Sequence, residues 1–253
     1  MRLIIQRFNV LLISAVAFCH SAQAFSNKKE SVEKQCSSMH VGGGDWHIDN
    51  KKQDSTAFLS KALLTQFGKE NGLKIVYGPE IPFARQLKHL EAGNLDLLVG
   101  IYPVGERFEK YYFSNVYFYD DLYVYAPPKI LQDIQGINDL KKYVGVVVRG
   151  ASYGEKLDQF YQMYPQQQYL VRQQSQRVAM VETVRADYFI STQYAAGVED
   201  KKTATIKRAS QPISHIGGGF AMSKKSNCLG WLPKLNQLIK KTVSSANNNT
   251  NNA

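Results

Sequence analysis

Short apolar runs alternate with helix-spaced apolar stripes along almost the whole chain, and this alternation restricts the fold more than any single motif. His40-Val41, Ile75 to Tyr77, Leu95 to Val99, Val144 to Val148, Tyr169 to Val171 and Tyr188 to Ile190 read as strands, Leu95 to Val99 apolar enough to be buried. Between them, Phe58, Leu59, Ala62, Leu63 and Phe67 share one face of a helix ending near Asn71-Gly72, and Leu87 and Leu90 mark a short helix ending at Gly93. Ser152 to Tyr164 reads as a third helix with Leu157, Phe160 and Tyr161 inward, and Val178, Val181 and Val184 as a fourth. Strands that take turns with helices build parallel sheets covered on both faces, so the fold class is α/β.

Two proline sites divide the order. Leu122 to Tyr125 runs extended into Pro127-Pro128, a natural crossing point, and Gln211-Pro212 marks the return. Thr205-Ile206 is a candidate edge strand. After the return, Gly217-Gly218-Gly219, read as a tight turn, leads to Phe220 to Met222 and a last helix carrying Leu229, Leu232, Leu235 and Leu238. The expected organisation is a discontinuous lobe of residues 36–122 and 213–245, a second lobe of 123–212, two hinge crossovers and a polar, disordered tail at 246–253. No internal repeat is evident in the sequence.

Arg2 and Arg7 flank an apolar run from Val10 to Phe18 that closes on Ala22-Gln23-Ala24. That pattern is a secretory signal peptide cleaved after Ala24, too short to span a bilayer. Removing those 24 residues, two arginines among them, leaves 229 of 253 and takes the formal charge from +10 to +8. Export and the scattering of the lysine pairs exclude nucleic acid as the partner and read the charge mainly as solvated surface. Cys36 and Cys228 are then the mature cysteines, and in an oxidising compartment they are expected to form one disulfide. Closing so long a loop is worth about 4 to 5 kcal/mol at most. The alternatives are two free thiols or, with no CxxC or HxxxH spacing beside them, a metal pair.

Five stretches resemble one family, the bacterial extracellular solute-binding proteins of the amino-acid-binding type. They are Phe83-Ala84-Arg85 with Leu87, Leu90, Gly93 and Asp96; Gly105-Glu106-Arg107 with Phe113-Ser114; Asp139-Leu140 with Val144-Gly145-Val146 and Arg149-Gly150-Ala151-Ser152-Tyr153-Gly154; Arg185-Ala186-Asp187 before Tyr188-Phe189-Ile190; and Ser223-Lys224-Lys225. The resemblance covers roughly residues 40 to 240. It implies a two-lobed, type II periplasmic-binding fold, each lobe a mainly parallel sheet flanked by helices. It also implies a monomer in the periplasm that captures a small ligand, hands it to a membrane ABC permease or sensor, and is neither an enzyme nor a cofactor protein.

Ligands of open α/β sheets sit beyond the carboxyl ends of the strands. The loops in that position are Gly43 to His47, Pro82 to Arg85, Gly100 to Tyr102 and Arg149 to Tyr153. Arg107 resembles the family's carboxylate clamp, against a surface pair with Glu106 or Glu109. Arg149, Gly150, Ser152 and Tyr153 read as an anion nest before a helix N-terminus, although Arg149 could pair with Asp158 or Glu155 instead. Arg85 either enters the cleft or lies on the outside of its helix. Trp46, Phe83 and Tyr102 are either pocket walls or packing aromatics.

Thr192 stands where the family usually places an acid for a ligand ammonium, and Val104-Gly105 replaces the family's Thr or Ser. An arginine-rich site without that acid favours an anionic, carboxylate-bearing ligand over a zwitterion, unless Asp45, Asp120 or Asp121 supplies the charge. The scattered His40, His47, His89 and His215 give no metal spacing, and no G-x-S-x-G elbow is present. The rival readings are a ligand sensor without transport and a dehydratase of cyclohexadienyl acids on the same fold, with Glu182 or Glu80 as its acid or base.

Overall fold

The computed structural model describes residues 36–43, 56–192 and 205–250, the last five by backbone alone; the expected signal segment and the loop of Trp46 and Asp45 lie outside the described residues. The first lobe opens with β1 (Ser38–Gly42), α1 (Thr56–Asn71), β2 (Lys74–Tyr77), α2 (Phe83–Ala92) and β3 (Leu97–Ile101). Its three strands lie parallel in the order β2-β1-β3. A short α3 (Arg107–Lys110) and β4 (Tyr111–Phe113) lead into β5 (Phe118–Ala126) and α4 (Pro128–Asp133). The second lobe repeats the scheme with β6 (Gly145–Val148), α5 (Glu155–Met163), β7 (Gln168–Val171), α6 (Gln176–Glu182) and β8 (Tyr188–Thr192), parallel in the order β7-β6-β8. The chain returns through β9 (Lys207–Arg208), two residues beyond the expected edge strand, and β10 (Ser214–Ser223), and ends in α7 (Leu232–Thr250). Its backbone stays helical into the asparagine-rich stretch expected to be disordered.

The two lobes are duplicates in backbone rather than in sequence. The Asp96 carboxylate, just before β3, accepts the His40 N–H at 2.7 Å, and the Asp187 carboxylate, just before β8, accepts the Val144 N–H at 2.8 Å. The preceding helices end alike. The amides of Asn94 and Leu95 donate to the His89 carbonyl, and those of Arg185 and Ala186 to the Met180 carbonyl. This closure needs one left-handed residue, Gly93 at φ 84° in one lobe and Val184 at φ 55° in the other. Val184, expected within the helix of Val178 and Val181, is therefore past its end and 86% exposed.

β5 and β10, the two crossing strands, lie side by side and antiparallel, from Leu122 opposite Ser214 to Phe118 opposite Gly218. β10 also pairs antiparallel with β3 and β4, and β5 with β8, so each lobe is a parallel trio bordered by antiparallel crossing strands. Gly217 to Gly219 lie within β10 and form no tight turn. A Cβ on Gly218 would stand 2.0 Å from the Phe118 ring, so the neighbouring strand's aromatic, not a turn, requires glycine here.

The apolar clusters divide in the same way. Met39, Leu64, Phe67, Phe220 and Leu235 pack in the first lobe, and Leu122, Leu157, Phe160 and Tyr188 in the second. Fully burying such an apolar side chain contributes about 1.5 to 3 kcal/mol. Leu235, Leu238 and Ile239 place α7 on the first lobe, beside the Cys36–Cys228 disulfide, whose Cα atoms are 5.1 Å apart. Trp231 Nε1 donates to the Cys36 carbonyl at 3.3 Å and closes that corner.

Candidate ligand cleft

The carboxyl ends of β3 and β6 face each other across the junction of the lobes, and Arg107 spans it. Gly105 turns the chain after β3, and the single helical turn of α3 starts with the Arg107 amide donating to the Val104 carbonyl. The guanidinium then reaches back, with Nη1 donating to the Tyr102 carbonyl at 3.1 Å and Nη2 to the Gly150 carbonyl of the other lobe at 2.8 Å. Burial pushes the Arg107 pKa down, and the nearby Asp158 charge opposes that shift. Gly150 has φ 81°, and a Cβ there would stand 3.1 Å from Leu87 and 3.4 Å from Ala84 on α2. Backbone of one lobe thus rests directly on a helix of the other.

The loop after β6 differs from the open nest expected of it. The helix begins at Glu155 rather than Ser152, after Gly154 in a positive-φ conformation open to glycine, φ 94° and ψ 155°. Asp158 folds back from the first turn, accepts the Tyr153 N–H at 2.8 Å and takes the Ser152 hydroxyl. The amides of Arg149, Ala151 and Gly154 also have internal acceptors: the Val171 carbonyl, the Val148 carbonyl and the Ser152 hydroxyl. The chain's own carboxylate therefore sits where an anion was expected, and Arg149 is exposed rather than joined to it. Burial pushes the Asp158 carboxyl up, against the Ser152 and Tyr153 hydrogen bonds and the Arg107 charge.

Tyr102, half-buried after β3, donates its hydroxyl to Asp120 on β5 at 2.7 Å. Burial and the Asp120 charge push the Tyr102 hydroxyl up. Burial likewise pushes the Asp120 carboxyl up, the Tyr102 bond pulls it down, and neighbouring Asp121 adds to the rise. Phe83 is half-buried and packs with Leu90, Leu98 and Tyr111, while Arg85 is exposed on the outside of α2. Thr192 ends β8 opposite Leu122, its carbonyl accepting the Tyr125 hydroxyl at 2.7 Å.

Two buried polar side chains escaped the sequence reading. Gln86 stands ten residues before Asp96 and Arg177 ten before Asp187, so they are equivalent positions of the two lobes. The Gln86 side-chain carbonyl accepts the Gly43 N–H, and its amide donates to the Ile81 carbonyl at 2.9 Å. Arg177, 5% exposed, donates to the Ile190 carbonyl at 2.8 Å and the Ser191 hydroxyl at 3.2 Å, with its guanidinium 5.2 Å from the Phe189 ring centre. Its charge also acts on the Tyr153 hydroxyl, which accepts the Val148 N–H at 3.2 Å in the loop that follows β6. Aligning the two lobes on their aspartates would have revealed both residues.

Among the described residues, no group of three or more His, Cys, Asp or Glu could hold a metal, and no helix is long and apolar enough to cross a membrane. Glu80 and Glu182, the candidate acids of an enzymatic site, are both exposed.

No protein-family model and no curated protein matches the sequence. Solved structures do match the fold. An ancestral arginine-binding protein bound to arginine is similar at 17% identity and TM-score 0.68, over 84% of this chain and 95% of that one. The GluR0 ligand-binding core in complex with L-glutamate is similar at 15% identity and TM-score 0.66, over 83% and 93%. An amino acid ABC transporter substrate-binding protein from Streptococcus pneumoniae, bound to L-arginine, is similar at 16% identity and TM-score 0.64, over 87% and 93%. With its paired parallel units and two crossing strands, the chain has the two-lobed fold of these ligand-binding proteins.

Proposed function

We propose that this protein is a periplasmic solute-binding protein that closes two lobes on a small, amino-acid-like solute and delivers it to an ABC-type permease. The observation that carries the reading is Arg107, a planar cation at the seam whose fork reaches both lobes. A ligand carboxylate entering there would accept its hydrogen bonds in place of a carbonyl, so binding and lobe contact would share one side chain. The similar structures with bound amino acids and the signal-like N-terminus support the same reading.

A thermal-shift screen of the mature protein against amino acids, organic acids and sugars tests it. A ligand at 100 times its dissociation constant adds about 2.7 kcal/mol of stability. No shift with any of these classes would overturn the reading. The rival dehydratase is weakened by the exposure of Glu80 and Glu182. Loss of a cyclohexadienyl acid's ultraviolet spectrum on incubation with the protein would favour that rival.

A further inference from the structure

Tyr102 carries a cation at one end and an anion at the other. Its carbonyl accepts from Arg107, and its hydroxyl donates to Asp120. Asp120 lies on a crossing strand, half-buried, with its backbone opposite Ile216. The neighbouring acid, Asp121, has a partner of its own, with His215 Nδ1 at 2.7 Å. Among the described residues, Asp120 has a neutral hydroxyl as its hydrogen-bond partner and another acid as the charge acting on it. A carboxylate drawn out of water against a neutral donor is under-compensated, and a cation brought to it relieves that cost.

The sheet register places a second group beside it. Leu122 pairs with Thr192, and Asp120 lies two residues from Leu122 on the same face, so Asp120 and Thr192 are diagonal neighbours. Such neighbours are roughly 7 to 8 Å apart by backbone, within reach of one small ligand group.

We propose that Asp120 receives the cationic group of the ligand, an ammonium or guanidinium, while Arg107 at the other end of Tyr102 takes its carboxylate. This rests on the solute-binding reading and names the charge pattern of the ligand, zwitterionic or cationic rather than purely anionic. It reverses the anionic ligand that Thr192 suggested: the missing charge stands on the adjacent strand.

The test is calorimetric titration of the mature protein, Asp120→Asn and Asp120→Asn/Thr192→Asp. The probes are the twenty L-amino acids, putrescine as an amine without a carboxylate, and glutarate and succinate as acids without an amine. Circular dichroism and melting temperature establish that each variant is folded, and Asn preserves an acceptor for Tyr102. The expected result is an amine-bearing ligand for the wild type, at least about 30-fold weaker binding to Asp120→Asn, and partial recovery when an acid is restored at position 192. Unchanged amine binding by a folded Asp120→Asn, or a wild-type preference for glutarate or succinate, would overturn the role of Asp120 and leave solute binding standing. A wild type that binds none of the probes would overturn both.

Discussion

Arg107 on one side of the cleft donates to the carbonyl of Gly150 on the other at 2.8 Å, so the group assigned to the ligand's acid also touches the opposite lobe. Truncating one member of a buried, charged hydrogen-bonded pair typically costs about 2 to 5 kcal/mol. Arg107→Ala should therefore weaken ligand binding by roughly 30-fold to several thousand-fold. Arg107→Lys should restore only part, because a point charge cannot reproduce the planar fork. Calorimetry gives the affinities, and small-angle scattering at saturating ligand should show the alanine variant more open than wild type.

Gly150 combines a left-handed backbone with contact to Leu87 and Ala84. Gly150→Ala should add roughly 1 to 2 kcal/mol of backbone strain and wedge the lobes apart. Affinity should fall while circular dichroism stays unchanged. Adding Leu87→Ala, which removes the opposing methyl groups, should recover part of the loss, and the absence of recovery would show that strain alone is responsible.

Joining Cys36 to Cys228 closes a loop of 192 residues, worth about 5 kcal/mol in the chain-entropy limit. Reduction should lower the melting temperature by several degrees yet leave the order of ligand preference intact, since the bridge lies wholly within one lobe. Labelling with a thiol reagent before and after reduction checks that both cysteines start out paired.

Asp120 gives a pH signature. Its folded carboxyl is raised by burial above the ordinary value of 3.8, so the folded state binds this proton more tightly than the unfolded one. The charged form therefore costs stability above the raised pKa, and that cost fades as pH falls through it towards 3.8. Without ligand, Asp120→Asn should melt a degree or two higher than wild type at neutral pH, about what a fraction of a kcal/mol produces in a domain this size. The advantage should disappear in acid.

Val184 occupies the left-handed position that Gly93 fills in the first lobe. A β-branched residue there carries strain of roughly 1 to 2 kcal/mol, and its exposed side chain has little packing to lose. Val184→Gly should stabilise the protein by about 0.5 to 1 kcal/mol once the extra freedom of the unfolded chain is subtracted. Urea unfolding measures it.

What the sequence disclosed depended on how locally each feature is determined. The strand and helix order follows from apolar spacing within ten or so residues, and the cysteine pair from there being two of them after residue 24. Gly217 to Gly219 misled because glycine demanded by a ring on an adjacent strand, here Phe118, looks in sequence like glycine demanded by a turn. The start of α5 shifted because Asp158 binds backwards to Tyr153 and Ser152, a bond that periodicity does not encode. Arg177 stayed hidden because its partners at Ile190 and Ser191 arrive on another element. Thr192 showed that a charge was missing from β8, but only the β5 register showed Asp120 beside it.

The position of β10 between β3 and β5 also sets an order of assembly. β6, β7 and β8 are complete once residue 192 has emerged, whereas β3 gains its antiparallel neighbour only when residues 219 to 222 arrive, more than a hundred positions later. Contacts so distant along the chain form slowly, because the intervening loop must close first. The contiguous lobe should therefore fold first and act as the template that presents β5 to β10. The half that begins the chain finishes last, and the Cys36–Cys228 bond can form only after that step.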